Sequence, residues 1–294
     1  MSNAILYTND GSKNEPHLRL DLNLGNLDGL PEWSTGPRGS EADIAEAIKA
    51  AGFEGVQGED CAGYAALGLK VTTLGRANTP EEIDAVAKRA VDGGYECATL
   101  HVAWGMEDDN EVDRLVGAVL DSSARHGVPL YVETHRATIT QDLYRTVKLA
   151  ERNPDIRFNA DFSHWYTGQE MIYGDIDAKF DFIEPVFARV AYMHARVGNS
   201  GHIQVPLHDP SMEKAMEHYR ELWTRAMAGF LRGAGPGDFL VFAPELLPSP
   251  INYARLYKND AGEWVEDGDR WEDALKLADV AKQCFAEAQR RVGK

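Results

Sequence analysis

Only three cysteines, Cys61, Cys97 and Cys284, occur in 294 residues, and no two of them form a CxxC pair. An odd, scattered set excludes a disulfide framework and a thiolate zinc site, so reduced side chains are expected, with Cys97 a small buried hydrophobe. Long apolar runs are missing too. Nothing approaches the roughly 18 residues of a membrane span, and MSNAILYTNDGSKNEPH lacks the basic and apolar segments of an export signal, which predicts a cytoplasmic protein. Positive charge is scarce: 30 Lys and Arg face 47 Asp and Glu, for a formal charge of −17. Such a surface repels nucleic acid and anionic membranes and favours cations. A GxGxxG turn is absent after the first strand-like run, which reads LDLNLGNLDGLP, and this argues against an open dinucleotide-binding sheet.

What is present is a regular alternation. Strand-length apolar runs at Leu18 to Asn23, Gly55 to Gly58, Lys70 to Leu74, Ala98 to Ala103, Pro129 to Thr134, Ile156 to Asp161, Val190 to Arg196 and Phe239 to Glu245 are separated mostly by segments of helical period. The helical segments cover 41–52, 79–94, 108–127, 140–153, 176–189, 211–235 and 271–291. Ser40-Glu41, Thr79-Pro80-Glu81-Glu82 and Thr140-Gln141 read as helix starts, and Gly52, Gly93 and Gly127 stand where left-handed caps are wanted. Eight strands with their crossovers predict a single-domain α/β protein, a closed (β/α)₈ TIM barrel spanning residues 1–294, with 1–16 an irregular N-terminal segment. The Met, Leu and Trp stripe of 212–231 reads as packing that can also make a subunit contact, and acid-rich MEDDNEVD and WVEDGDRWED as solvated helix starts. The long Gly-, Pro- and His-containing insert 197–214 is expected to shape a substrate pocket, with His202 and His208 facing solvent.

Four strand ends carry the chemistry. Glu133 in LYVETHR, Asp161 in FNADFSHW, His194 in YMHAR and Glu245 in FLVFAPELL end strands five to eight, so neighbours around a barrel rim point to one mouth. Three carboxylates gathered there repel one another, and one divalent ion relieves the repulsion while suiting a mixed oxygen and nitrogen set: Mn²⁺, Mg²⁺, Co²⁺ or Zn²⁺. Such an ion polarises a carbonyl and the adjacent hydroxyl of a sugar, and Glu133 and Glu245 are the candidate acid and base for the proton between them. His164 is placed to donate to a substrate oxygen and Arg196 to neutralise an enediolate. His101 at the fourth strand end is a substrate contact, a second metal ligand or a hydrogen-bonded rim histidine. Trp104, Trp165 and Tyr166 stack on a sugar face or cover the mouth, Trp165 being placed in the pocket, and Arg136 rather than His135 is taken to meet an anionic or polyol group.

The set ETH, DFSHW, HAR and PELL resembles the xylose-isomerase-like TIM barrels, in particular the sugar isomerase and epimerase group, over nearly the whole chain from Leu18. That resemblance implies one divalent metal, Mn²⁺ first, on Glu133, Asp161, His194 and Glu245. It also implies an acid/base pair in Glu133 and Glu245, substrate contacts from His164 and Arg196, a small carbohydrate substrate, and a homodimer or homotetramer. In that group the arginine usually follows several residues later, after a glutamate that this chain lacks. Three rivals share features of the pattern: a keto-sugar or 3-keto-glycoside lyase or dehydratase, an endonuclease IV-like phosphodiesterase, and a non-catalytic sugar-binding barrel. The charge opposes the phosphodiesterase, and retention of both glutamates opposes the non-catalytic barrel.

Overall fold

A computed structural model describes residues 4–293. Eight parallel strands close on themselves: β1 His17–Asn23, β2 Gly55–Gln57, β3 Lys70–Ala77, β4 Ala98–Val102, β5 Leu130–Glu133, β6 Phe158–Asp161, β7 Val190–His194 and β8 Asp238–Ala243. Closure is direct, with Leu18 opposite Leu240 across β1 and β8. Each expected strand exists, and the barrel architecture is the expected one. Outside it run α1 Glu41–Ala50, α2 Pro80–Asp92, α3 Asp109–His126, α4 Leu143–Arg152, α5 Ser163–Gly168, α6 Ile176–Phe187, α7 Met212–Gly233 and α8 Arg270–Val292. Between β2 and β3 the crossover is only a 3₁₀ segment, Ala62–Leu67.

Local chemistry explains most boundaries. Ser40 and Asp43 form a reciprocal capping box on α1, and Thr79 caps α2 ahead of Pro80. The start of α4 differs from the sequence expectation: Asp142 caps it, because the Thr140 hydroxyl is already taken, donating to the carbonyl of Glu133 and accepting from the His135 N–H at 3.1 Å. Gly52 and Gly127 adopt the left-handed conformation, whereas Gly93 is right-handed and Gly94, at φ +69°, takes that turn. Two further differences lie in the loops. Thr8 and Asn9 pair antiparallel with the start of β8, inside the segment expected to be irregular, and Leu256–Lys258 forms a hairpin with Trp264–Glu266 ahead of α8. Trp264 therefore belongs to a strand, and Asp269 supplies the α8 cap.

Alternation within the strands divides apolar from polar. On β1, Leu20 and Leu22 are buried with the apolar core, while Arg19, Asp21 and Asn23 bond to one another's neighbours inside the barrel. Arg19 reaches Asp21 at 2.7 Å and also binds Glu96, and the Thr72 and Tyr192 hydroxyls meet at 3.1 Å. The interior is thus a polar network, and the continuous apolar core lies between sheet and helices. The apolar stripe of α7 is spent on that core, packed against α6 and α8.

At one helix contact the backbone itself is the packing surface. A Cβ on Gly229 of α7 would sit 2.2 Å from the Phe187 carbonyl oxygen at the end of α6. Neither helix can yield without repacking, so Gly229→Ala is expected to destabilise the fold by about 1–3 kcal/mol, read as a lower midpoint in urea unfolding. An unchanged midpoint would show that α6 and α7 slide freely.

Candidate metal centre

The closed sheet turns long sequence separations into contacts. Glu133, Asp161 and His194 are the last residues of β5, β6 and β7, and Glu245 lies two residues past β8. Between β6 and β7 the register slips by one residue at Ala191, which brings Asp161 level with His194. All four side chains are buried, and one ligand atom from each lies within 4.8 Å of the others. His194 Nδ1 stands 3.3 Å from Glu133 Oε2 and 3.3 Å from Glu245 Oε2, so the glutamates flank the imidazole.

A second layer of side chains fixes these four. Gln57 Oε1 accepts from His194 Nε2 at 2.5 Å, which turns Nδ1 toward the carboxylates, and Asn23 donates to both Gln57 Oε1 (3.0 Å) and Glu245 Oε1 (3.1 Å). Asn159 donates to Glu133 Oε2 at 3.0 Å, and the Ser163 N–H and hydroxyl donate to Asp161 Oδ1 at 2.9 and 2.5 Å. Oriented, hydrogen-bonded carboxylates of this kind are what a ligand set requires.

Charge at the centre is partly balanced by the chain itself. Arg196 lies 3.2 Å from Asp161 Oδ2 with one nitrogen and binds Glu245 Oε2 with another. Burial opposes a charge on His194, but Glu245 and Glu133 outweigh it and push the imidazole up to about 10. Burial likewise opposes ionisation of Glu133, yet His101 and His194 hold it well below the usual carboxylate range. Asp161 is also depressed, burial being overcome by His164 and Arg196. Burial wins at His164, which is lowered despite Asp161, and at His135, which falls to about 2 with His164 adding to the effect. At neutral pH the His135 ring is uncharged. The donor set nevertheless fits a divalent cation: it mixes carboxylate oxygens with one imidazole nitrogen, and buried Glu133 Oε1 has no well-aligned donor, only His101 Nε2 at 3.1 Å. The cluster can hold a metal ion.

Other residues expected at the site divide into two groups. His164 sits on α5, with Nε2 3.3 Å from Asp161, and His101 Nε2 is 3.1 Å from Glu133 Oε1. His135, passed over in favour of Arg136, is the nearer of that pair: its ring lies between His101 (4.0 Å) and His164 (3.8 Å). His101, Glu133 and His135 form a second convergent cluster sharing Glu133. Arg136 is exposed above it, 5.0 Å from the Tyr253 ring. Trp104 is 49% exposed beneath the Arg76 guanidinium. Trp165 is walled in at 1% exposure, its N–H bonded to the Thr140 carbonyl at 2.9 Å, so it offers no face to a ligand; Tyr166 is equally buried against Tyr219. His202 and His208 are exposed, as expected. The insert forms a cavity of about 770 Å³ with Tyr173 and Lys214 that includes none of the four candidate ligands. Asn23, Gln57, Asn159 and Tyr253 were missed. Asn23 and Gln57 end their strands as polar residues after apolar ones, the same signal that marked the four ligands.

No protein-family model matches the chain, and no curated protein matches it by sequence. Solved structures do. The probable 3-DHS dehydratase AsbF from Bacillus anthracis superposes with a TM-score of 0.53 at 15% identity, covering 79% of this chain and 94% of its own. Endonuclease IV from Thermus thermophilus gives 0.49 at 13% identity over 92% of this chain and 99% of that one. Identities this low speak to architecture alone. In architecture, this chain is a closed single-domain (β/α)₈ barrel.

Proposed function

We propose that the protein is a metal-dependent carbohydrate isomerase or epimerase that moves a proton on a carbon next to a carbonyl. The observation carrying this reading is the pair Glu133 and Glu245, each with an oxygen 3.3 Å from His194 Nδ1, in a buried cluster of ligand type. A bound divalent ion, Mn²⁺ first, would be held by Glu133, Asp161, His194 and Glu245 and would supply Lewis acidity toward a carbonyl oxygen. The rest falls to side chains. Glu133 and Glu245, both beside His194 Nδ1, are the candidate pair to accept the proton and return it. Arg196, fixed by Asp161 and Glu245, offers a cation to the enediolate oxygen, and His101, the most exposed member at 27%, stands where substrate enters.

A screen of ketoses and 3-keto-glycosides in deuterated water tests the reading. We expect Mn²⁺-dependent incorporation of deuterium at the carbon beside the carbonyl, abolished by a chelator, with the product isomeric to the substrate. Loss of a leaving group would place the protein with the lyases or dehydratases, which begin with the same proton removal. Absence of exchange on every candidate, with metal bound, would end the proposal.

A further inference from the structure

Two arginines at the mouth make no ion pair among the described residues. Several described arginines, Arg38, Arg89, Arg157, Arg189 and Arg220 among them, bond carbonyls or an amide and make no ion pair; Arg76 and Arg136 are set apart by their place beside His101 and Tyr253. Arg136, in the loop after β5, makes no ion pair among the described residues, and its guanidinium lies 5.0 Å from the Tyr253 ring. The same ring is approached by Arg196 at 4.1 Å, which ties Arg136 to the edge of the buried cluster. Arg76, at the end of β3, is laterally paired with His101 and also lacks a carboxylate partner.

Arg76 is held firmly. Its Nη1 donates to the carbonyls of Ala103 and Ala137, the latter at 3.1 Å, and its guanidinium lies 4.1 Å from the Trp104 ring. Ala103 and Ala137 have φ of +53° and +52°, a left-handed backbone that an alanine adopts only when its surroundings enforce it. One guanidinium thus locks the loops that follow β4 and β5, and Ala137 is the residue next to Arg136. Acids of these loops are turned away: Glu107 accepts from the N–H groups of Trp104 (3.1 Å) and Gly105 (2.7 Å), and Asp108 caps α3. Glu133 is within electrostatic reach of Arg76 but lies buried, hydrogen-bonded to Asn159. A neutral polyol would need no such pair of cations at the entrance.

We infer that the substrate is an anion, and that Arg136 and Arg76 receive its oxyanion, a carboxylate or a phosphate, at the barrel mouth while its carbon skeleton reaches the carboxylate cluster. This rests on the mouth being the reaction site, as proposed above. Guanidinium forks match both oxyanions, and a small positive patch on an otherwise acidic molecule draws a small anion in while the net charge still repels a polyanion.

Binding is measured by calorimetry on the manganese-loaded protein with three probes: D-gluconate, inorganic phosphate, and D-glucitol, a neutral polyol of the same chain length as gluconate. At low salt, gluconate or phosphate is expected to bind at least about tenfold tighter than glucitol, and to weaken as salt rises. Whichever of the two binds names the oxyanion. Arg136→Gln, on an exposed residue whose loss does not threaten folding, should weaken that anion by about tenfold and leave glucitol unchanged, while Arg136→Lys keeps part of the affinity. Equal binding of gluconate and glucitol, no binding of either anion, or an Arg136→Gln variant with unaltered anion affinity would each overturn the inference. Deuterium exchange on a neutral ketose without anion preference defeats it and leaves the proposed reaction standing. Anion preference without exchange on any ketose does the reverse.

Discussion

Glu245→Gln is expected to cut deuterium exchange by roughly 10²–10⁴-fold while leaving the protein folded and able to take up metal. The amide keeps the shape and one oxygen, and Asn23, which donates to Glu245 Oε1 at 3.1 Å, can still donate to it. What disappears is a proton acceptor. Glu245 is also the least enclosed of the four, at 10% side-chain exposure against 2% for Glu133 and 0% for Asp161, so its neutralisation disturbs the buried charge balance least. Glu133→Gln should behave differently, because Glu133 meets both His101 and His194 and its loss leaves His101 without a carboxylate and His194 with Glu245 alone. That variant is expected to lose metal and exchange together. Rates are compared in deuterated water on the substrate found by the ketose screen, with metal content measured on the same samples. A Glu245→Gln protein that exchanges at the wild-type rate removes this glutamate from the chemistry and with it the two-carboxylate mechanism.

The barrel was legible because its strands end in the way parallel strands must. Five of them are runs stopped by a polar residue, at Asn23, Gln57, Glu133, Asp161 and His194, and most of the helices between announce themselves with caps. The four ligands stood out for the same reason, Glu133, Asp161 and His194 each following residues that can only be core. Elements that lack an apolar period were not legible: the Leu256–Lys258 strand is exposed along its length, and α5 is too short to show a face. Side-chain direction beyond a strand end was also hidden. Past Glu133 the chain leaves the pleat, so nothing in THRAT tells that His135 turns in and Arg136 out. Trp165 follows His164 directly, and adjacency suggested a shared pocket, but successive residues on a helix face different ways and the indole packs inward. The largest gap concerned charge. Arg196 was placed beside the substrate, yet its reach across to both Asp161 and Glu245 depends on the distance between strand ends, which only the folded barrel supplies.

Arg196→Met should expose what that reach contributes. The guanidinium is 1% exposed and bridges two carboxylates, so its removal leaves Asp161 and Glu245 buried with less compensation. Breaking a buried ionic cluster from one side costs about 3–5 kcal/mol, which for a chain of this size is a fall in melting temperature on the order of 10 °C. Arg196→Lys retains the charge but not the two-pronged geometry and should fall between. Metal then separates two accounts of the cluster. If arginine and a divalent ion neutralise the same oxygens, excess Mn²⁺ will raise the melting temperature of Arg196→Met more than that of the wild type, since binding to the folded state adds stability as the logarithm of the ion concentration over its Kd and the variant has more to regain. If the ion makes no use of Asp161 and Glu245, the two proteins will shift equally. A variant as stable as the wild type in the absence of metal would mean that His194 and the surrounding amides suffice to hold the carboxylates, and the case for any added cation at this centre would fall with it.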